Sequence, residues 1–556
     1  MNRFLAAAML GPLTLNVSSV TAEETCGAPK YTADALEHSL IEDLAGLPLD
    51  ANRRYHVRAL TIYRKDVFDL QDPAENNWLF GAANKYHVDT RESVIRDVIV
   101  VAADRTTSFQ ALEESERILR AKTYIYDARV IANRVCGDEI DVVVVTRDVW
   151  TLAPTIAVAR TGGQNEFEFG VSDNNLLGTG TWISALYIND LDREGVALAF
   201  RDPNLGHSRV SLFAEYRDND DGYARALEVV RPFYALDAKS TWGVIGRARE
   251  SHEALFFLSA PFATFERDQQ LVEAFWGTSN GIRDGFVNRW RFGYAYDDIR
   301  VNQITGPTLP FEDRRLSYPW VGFERIEDKF EKTQNIQRIR GTEDLFLGRQ
   351  FAARVGYSNE VFGGDASKLV VRGHIRDGVG RNGHIVQYGA NLSGVWNFER
   401  NEVQDFVSQA WLQYRHRHTD KLSLFASASG FYTRNLPVDR QLLLGGDTGL
   451  RGYPNRYQLG DRSVLVTLEE RYFSDIYLFR MVRVGAAIFA DIGRAWFRGT
   501  PKREPLGVLV DVGFGLRFDI TRGPRDRIFH LDLAFPLQDG PGISSPQLTF
   551  TGKTTL

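Results

Sequence analysis

From about position 154 to the end of the chain, apolar and polar side chains alternate in short segments divided by clusters of Gly, Asp, Asn and Pro. A period of two is the mark of strands with one apolar and one polar face. In residues 507–520, Val508, Val510, Val512, Phe514, Leu516 and Phe518 share one face, and Asp511, Gly513, Gly515, Arg517 and Asp519 share the other. Residues 386–395 divide in the same way, Val386, Tyr388, Ala390 and Leu392 against Gln387, Gly389, Asn391 and Ser393. Residues 529–535, 209–217, 409–415 and 464–473 follow the rule, with Glu470 an exception on an otherwise apolar face. Soluble sandwiches alternate too, but about 400 residues of soluble sheet would divide into domains. No linker-like shift in composition interrupts this series. The pattern predicts an all-β transmembrane barrel over 153–556, of about 16 antiparallel strands at roughly 25 residues per strand and loop.

Upstream the period changes. Residues 34–45 predict a helix that buries Leu36, Leu40 and Leu44 and stops at Gly46 and Pro48. A strand over 55–63 precedes two helices, one over about 90–101 with Asp89 as its cap. The other spans 108–122, with Ser108 as cap and Leu112, Ile118 and Leu119 on its apolar face. Strands at 124–135 and 139–147 flank the turn Gly137-Asp138. The order strand, helix, helix, strand, strand describes a small α+β domain over 52–152, with 23–51 as a helix-bearing linker.

Composition then narrows the setting. Arg3, the largely apolar run from Phe4 to Val17 and the small-residue site Val20-Thr21-Ala22 predict a signal peptide over 1–22. No other stretch has the length of a spanning helix without charges, so residence in a membrane requires a barrel. Aromatics at 12% and 48 glycines favour strands with many turns. A net charge of −6 over 556 residues points to no nucleic-acid partner. Cys26 and Cys136 can pair in an oxidising compartment, and two unpaired thiols fit the sequence equally well.

Full enzyme signatures are missing: Gly277-Thr278-Ser279-Asn280-Gly281 has the Gly-x-Ser-x-Gly spacing but no helix pattern after it, as an elbow requires, there is no His-Glu-x-x-His helix, and Gly552-Lys553-Thr554 lacks the first glycine of a Gly-x-x-x-x-Gly-Lys-Ser/Thr phosphate loop. The chain is therefore expected to be neither an enzyme nor a cofactor binder. His416 and His418 near a strand end, and the acidic run at 218–221, lack the companions or spacing of a metal site and read as exposed groups.

One segment carries chemistry of another kind. Residues 442–453, Leu-Leu-Leu-Gly-Gly-Asp-Thr-Gly-Leu-Arg-Gly-Tyr, sit in a loop of about thirty residues, a length usually reserved for function. In 481–497, parity puts Asp491 on the lumen face with Arg483, Gly485, Ala487, Phe489 and Gly493, opposite Val482, Val484, Ala486, Ile488 and Ile492. A buried carboxylate needs a partner. Arg451, on a loop folded back inside the barrel, would supply a two-pronged one.

Gly445-Gly446, Leu450-Arg451-Gly452-Tyr453, Leu468-Glu469-Glu470-Arg471 and Phe489-x-Asp491-x-Gly493-x-x-Trp496 stand in this order and spacing. Together they resemble the outer-membrane assembly and secretion superfamily of the BamA and TamA insertases and the two-partner secretion transporters. The resemblance is concentrated in residues 440–535. It implies a sixteen-stranded barrel with the Arg-Gly-Tyr loop in its lumen, Arg451 on Asp491, and Phe489, Gly493 and Glu469 in the wall around them. It also implies that 52–152 is a single POTRA-like domain, which receives client strands at its sheet edge.

The function so implied is a polypeptide insertase or translocase in the outer membrane of a Gram-negative bacterium, with its N-terminal domain in the periplasm. Its partners would be unfolded or nascent outer-membrane or secreted polypeptides, outer-membrane lipid, and periplasmic or inner-membrane accessory proteins, without nucleic acid or cofactor. A passive pore or surface receptor on the same scaffold is the competing expectation. For the Arg451–Asp491 pair alone, a purely stabilising role is an equal reading.

Overall fold

The computed structural model describes residues 26–553 apart from 337, 500–506, 525–527 and the side chains of 153–155 and 553, so the expected signal peptide lies outside the described residues. The alternating segments close into one antiparallel barrel of twenty strands, from Leu152–Thr161 to Gln547–Lys553, the last strand meeting the first. Twenty replaces the sixteen expected because many hairpins are tighter than a uniform strand-plus-loop length allows. Gly162-Gly163, Asp284-Gly285 and Asn382-Gly383 are complete two-residue turns with both φ positive. That is the type I′ geometry, which matches strand twist and requires Gly, Asn or Asp.

Burial runs opposite to that of a soluble sheet. The charged Asp511, Arg517 and Asp519 are at most 2% exposed, whereas Val512, Phe514 and Leu516 between them are 40–54% exposed. Such a strand suits an apolar surroundings outside and a polar, filled lumen within. No helix among the described residues is long and apolar enough to cross a membrane. Glu470, the parity exception, faces outward and lies 3.5 Å from His418, level with Leu424 near a strand's start. It therefore sits towards the rim of the apolar band.

The N-terminal unit is a four-stranded sheet in the order β2-β1-β4-β3, with β1 Tyr55–Lys65, β2 Thr106–Thr107, β3 Ile125–Cys136 and β4 Glu139–Asp148. The parallel pairing of β1 with β4 requires a crossover. The helices supply it: α1 Ala33–His38 precedes the sheet, and α2 Trp78–Tyr86, α3 Glu92–Val98 and α4 Phe109–Arg120 lie between β1 and β3. Val57, Ile95, Leu112, Leu119, Ile125, Val142 and Val144 form the core. Ser108 Oγ accepts the Ala111 N–H at 3.3 Å and caps α4.

Three expectations change. The helix expected over 34–45 breaks after His38, where Ser39 Oγ donates to Ala35 O at 2.6 Å. A 3-10 turn, Ile41–Asp43, follows, so Ile41 rather than Leu40 is buried beside Leu36 and Leu44. The helix expected over 90–101 is shorter, with Arg91 and not Asp89 at its N-cap position. The third change is α2, which the periodicity did not reveal; Asn77 caps it by accepting the Phe80 N–H at 3.0 Å.

Cys26 and Cys136 form a disulfide, which ties the N-terminal stretch along the outer edge of β3. There Lys30 N donates to Asn133 O and Leu47 N to Ala132 O, both at 2.8 Å. The unit seats on one end of the barrel. Arg91 N donates to Gly178 O at 2.9 Å, Asn204 Nδ2 to Asp97 at 3.0 Å, Leu236 N to Glu114 at 2.6 Å and Trp150 N to Arg522 O at 2.7 Å. The loop at 435–461 belongs to the opposite end.

The Cys26–Cys136 bond closes a long loop, which constrains the unfolded chain by about 4–5 kcal/mol in the loop-entropy treatment. Non-reducing peptide mapping is expected to recover the linked pair. Cys136→Ser is expected to lower the urea concentration at which protease cuts the N-terminal unit of the full-length protein.

Candidate functional site

The loop between strands Leu422–Arg434 and Arg462–Leu478 is stiffened from within. Leu442–Leu444 pairs with Gln458–Gly460, so residues 445–457 project as a finger. Glycine is obligatory at its narrowest point: a Cβ on Gly452 would stand 2.6 Å from Asp511 Cβ, and one on Gly446 2.5 Å from Tyr453 O. Gly445 packs as tightly against Pro454 O, at 2.4 Å. Leu450 and Tyr453 are fully buried with Leu444, Tyr457, Ala495 and Leu509. Gly493 leaves the space they need, since a Cβ there would lie 3.1 Å from both Leu444 and Leu450. Tyr453 Oη donates to Val510 O at 2.7 Å and so pins the finger to the wall.

Arg451 is thereby carried into the lumen. Its Nε donates to Asp491 Oδ2 at 2.7 Å and its Nη2 to Asp491 Oδ1 at 3.1 Å, the bidentate fork. Its Nη1 reaches Glu469 at 3.1 Å and Asp532 at 3.3 Å, and its guanidinium carbon stacks 3.3 Å from the centre of the Phe489 ring. Arg471 and Arg517 supply two further cations: Arg471 Nε donates to Glu469 at 3.0 Å, and Arg517 bridges Glu469 at 3.2 Å and Asp532 at 2.5 Å. Asp491 also accepts from Thr467 Oγ1 at 2.8 Å. Three arginines thus meet Glu469, Asp491 and Asp532, with Asp511 across the ladder from Asp491.

Gly445, Gly446, Leu450, Arg451, Gly452, Tyr453, Glu469, Phe489, Asp491 and Gly493 converge here, whereas Leu468 and Glu470 of the same motif face outward. Arg517 and Asp532 were absent from the expected set, although their parity already placed them on the lumen faces. Their facing registers, Gly515 opposite Asp532 and Arg517 opposite His530, were the missed signal.

The finger also reaches the junction that closes the barrel. Among the described residues, first and last strands pair at one register position, Phe550 opposite Arg160, while the last strand pairs with Ile528–Pro536 along its described length. Asn455 Nδ2 donates to Thr161 O and to Gln164 Oε1, both at 3.0 Å, so the finger holds the first hairpin from inside.

From the opposite end a second insertion enters. Strands Phe330–Thr333 and Glu343–Phe346 form a hairpin. At its tip Ile339 N donates to Asp519 at 3.0 Å, Arg483 donates to Ile339 O at 2.6 Å and Arg471 Nη1 to Ile336 O at 3.3 Å. Its base meets α4 and the β3 edge: Arg120 donates to both oxygens of Asp344 at 2.7 and 2.6 Å, and Lys332 lies 2.8 Å from Glu116. The same two α4 side chains occupy the edge itself, as Val130 N donates to Glu116 and Arg120 donates to Ala128 O, both at 3.0 Å. Burial pushes the Glu116 carboxyl up, but Arg120 and Lys332 outweigh it and hold it below the usual carboxylate range.

The remaining candidates have local partners. His384 and His416 stack at 3.9 Å, and His418 turns to Glu470. In the acidic run, Asp220 accepts the Glu194 N–H at 3.0 Å and Asp221 the His252 N–H at 3.1 Å. Among the described residues His87, Asp89 and Asp148 have ligand atoms within 4.8 Å of one another. Arg64 already stands 3.8 Å from Asp89, and the Thr90 N–H donates to Asp148 at 2.7 Å.

An outward-apolar barrel whose lumen is knotted by a returning arginine loop defines a β-barrel of outer-membrane type. The Omp85 superfamily domain matches residues 175–552, and the chain belongs to that superfamily, the group of the BamA- and TamA-type barrels. No curated protein matches. Solved structures with likeness include BamA from Haemophilus ducreyi lacking POTRA domains 1–3, at 13% identity and a TM-score of 0.41, over 91% of this chain and 85% of that one. CdiB from Acinetobacter baumannii matches at 11% identity and a TM-score of 0.41, over 89% and 73%. CdiB from Escherichia coli matches at 12% and 0.36, over 93% of each chain.

Arg451→Ala leaves Asp491 without its fork and Glu469 and Asp532 short of a cation. It is expected to cost about 3–5 kcal/mol, seen as a lower temperature for loss of the compact, heat-modifiable band. Arg451→Lys keeps the charge without the fork and is expected to recover only part of the loss.

Proposed function

We propose that this protein is an outer-membrane insertase or translocase for other polypeptides, working without covalent chemistry or cofactor. In this reading residues 52–152 are a POTRA-like domain in the periplasm. Clients are unfolded or nascent outer-membrane or secreted chains, delivered by periplasmic or inner-membrane accessory proteins.

The observation that carries the proposal is the seam. A barrel built to be a passive tube gains nothing from a junction that pairs, among the described residues, at one register position, and nothing from a loop braced across it. A seam opened towards lipid offers two unpaired strand edges, on which a client strand can pair before it leaves. Arg451 then keeps the finger in place while Asn455 lets go of the first hairpin.

Delivery uses the β3 edge. Glu116 and Arg120 fill its free backbone groups with side-chain bonds, and a client strand can exchange for these one by one. The same exchange takes Arg120 off Asp344 and Glu116 off Lys332, so a bound client loosens the hairpin that fills the mouth. Because Glu116 has a lowered folded pKa, its contribution is complete above the unfolded value near 4.3 and fades only as pH falls through the folded one. At neutral pH release therefore requires a competitor and not protonation.

Arg160→Cys with Phe550→Cys places two thiols at a paired position of the seam. Oxidation is expected to stop client assembly or export in cells, and reduction to restore it, with the reductant applied in parallel to the unlocked protein. A locked barrel that handles clients as well as the unlocked one would overturn seam opening. Photocrosslinking from Arg129, the partly exposed position between the buried Ala128 and Val130, is expected to capture nascent outer-membrane or secreted chains. Ion conductance without any captured chain would favour the passive pore.

A further inference from the structure

Helix α2 has two faces of opposite use. Phe80 points inward, stacked on Phe68 at 4.0 Å between ring centres, in a cluster with Val67, Leu70, Ala83 and Met481. On the other side Trp78, Ala82 and Tyr86 follow one another at steps of four, one stripe of the helix. Trp78 is 82% exposed, Tyr86 72% and the neighbouring Leu79 53%. Single exposed apolar residues are ordinary, but three large ones on a nine-residue helix, two of them the amphipathic aromatics, are a patch.

The place of this helix decides what covers the patch. Met481, in its buried cluster, belongs to the turn that joins strands Arg462–Leu478 and Val482–Trp496. In the same turn Arg480 Nη2 donates to Asp72 at 3.1 Å, and next door Arg522 Nη1 donates to Val67 O at 2.7 Å. The α2 segment is therefore bolted to the barrel's rim and not left free to swing. Phe479, at the tip of the same turn, is 80% exposed. Behind it Leu478, Ile476 and Tyr472 are the exposed outward residues of the strand, the end of the barrel's apolar band. Trp and Tyr favour the layer where hydrocarbon gives way to headgroups, since each has an apolar body and a polar tip. Lys85 on the same helix adds a cation for anionic headgroups.

We infer that α2 lies on the membrane surface beside the barrel, with Trp78, Leu79 and Tyr86 seated in the headgroup layer on the side of the N-terminal unit. The occupant of the stripe is lipid. Its role is to fix the height and rotation of the N-terminal unit against the barrel, through a contact that the protein alone does not complete.

The test uses the full-length protein in liposomes of phosphatidylethanolamine and phosphatidylglycerol. Trp78→Cys carries a nitroxide label, and the native cysteines are held in their disulfide. Asp138→Cys, on the exposed β3–β4 turn, is the aqueous reference. The expected result is that oxygen relaxes the label at 78 more than a water-soluble nickel chelate does, the reverse of the label at 138. Equal behaviour at the two sites would overturn the inference, and so would protection of position 78 from both reagents, which would mean a protein covering. As a second readout, brominated lipid is expected to quench the fluorescence of the native protein more than that of Trp78→Phe. No difference between the two would also overturn it.

Discussion

A guanidinium taken out of water has to be answered with charge, and Arg451 makes that demand of three strands at once. Glu469, Asp491 and Asp532 stand on separate strands, and each faces the lumen only because its strand keeps strict alternation. A one-residue slip in any of these strands would turn its carboxylate out towards lipid. The arginine thus does more than hold a loop. It checks the register of the wall opposite, and the finger docks only when three ladders agree.

Net stability is a poor account of such a cluster, since burying charged groups costs about as much as their attraction returns. What the cluster supplies is a single arrangement with continuity. Glu469 joins Arg451 to Arg471, whose other nitrogen bonds the Ile336 carbonyl at the tip of the opposing hairpin. That hairpin's base runs through Asp344 to Arg120 and so to the side-chain-capped edge of β3. From the outer loop to the sheet edge, each link is a charge-assisted bond or the short hairpin between them. An element that changes partners at one end acts on side chains shared with the next, which is the physical form coupling takes in a packed interior.

Parity alone made much of this legible. The lumen placement of Asp491 followed from counting along its strand, whereas Arg451 as its partner depended on the loop folding inward, which the resemblance to the assembly and secretion superfamily implied. Other features were hidden because they depend on contacts distant in sequence. Strand number failed on two-residue turns such as Gly162-Gly163, which consume fewer residues than a uniform spacing allows. On α4, Glu114, Glu116 and Arg120 read as a solvated helix face, yet they are buried because barrel turns and the hairpin lie on them. No periodicity within the helix encodes that cover. Leu40 and Ile41 exchanged roles for a local reason, a serine hydroxyl that took a helix carbonyl and ended the turn early.

Twenty strands raise a problem that the two insertions answer. Barrels of sixteen to eighteen strands already enclose a water-filled channel, and a wider one without contents would leave its lumen charges solvated and its wall free to flatten. Here the finger enters from one end and the hairpin from the other, and Glu469 and Arg471 on the wall between them link the two. The wall is therefore supported from inside at the strands where the barrel closes, while the closing junction shows, among the described residues, a single paired position. Strength has been moved from the seam to the contents. In the proposed cycle a barrel held in this way would part at its seam without collapsing, because the bonds that keep its shape are not the bonds that must break.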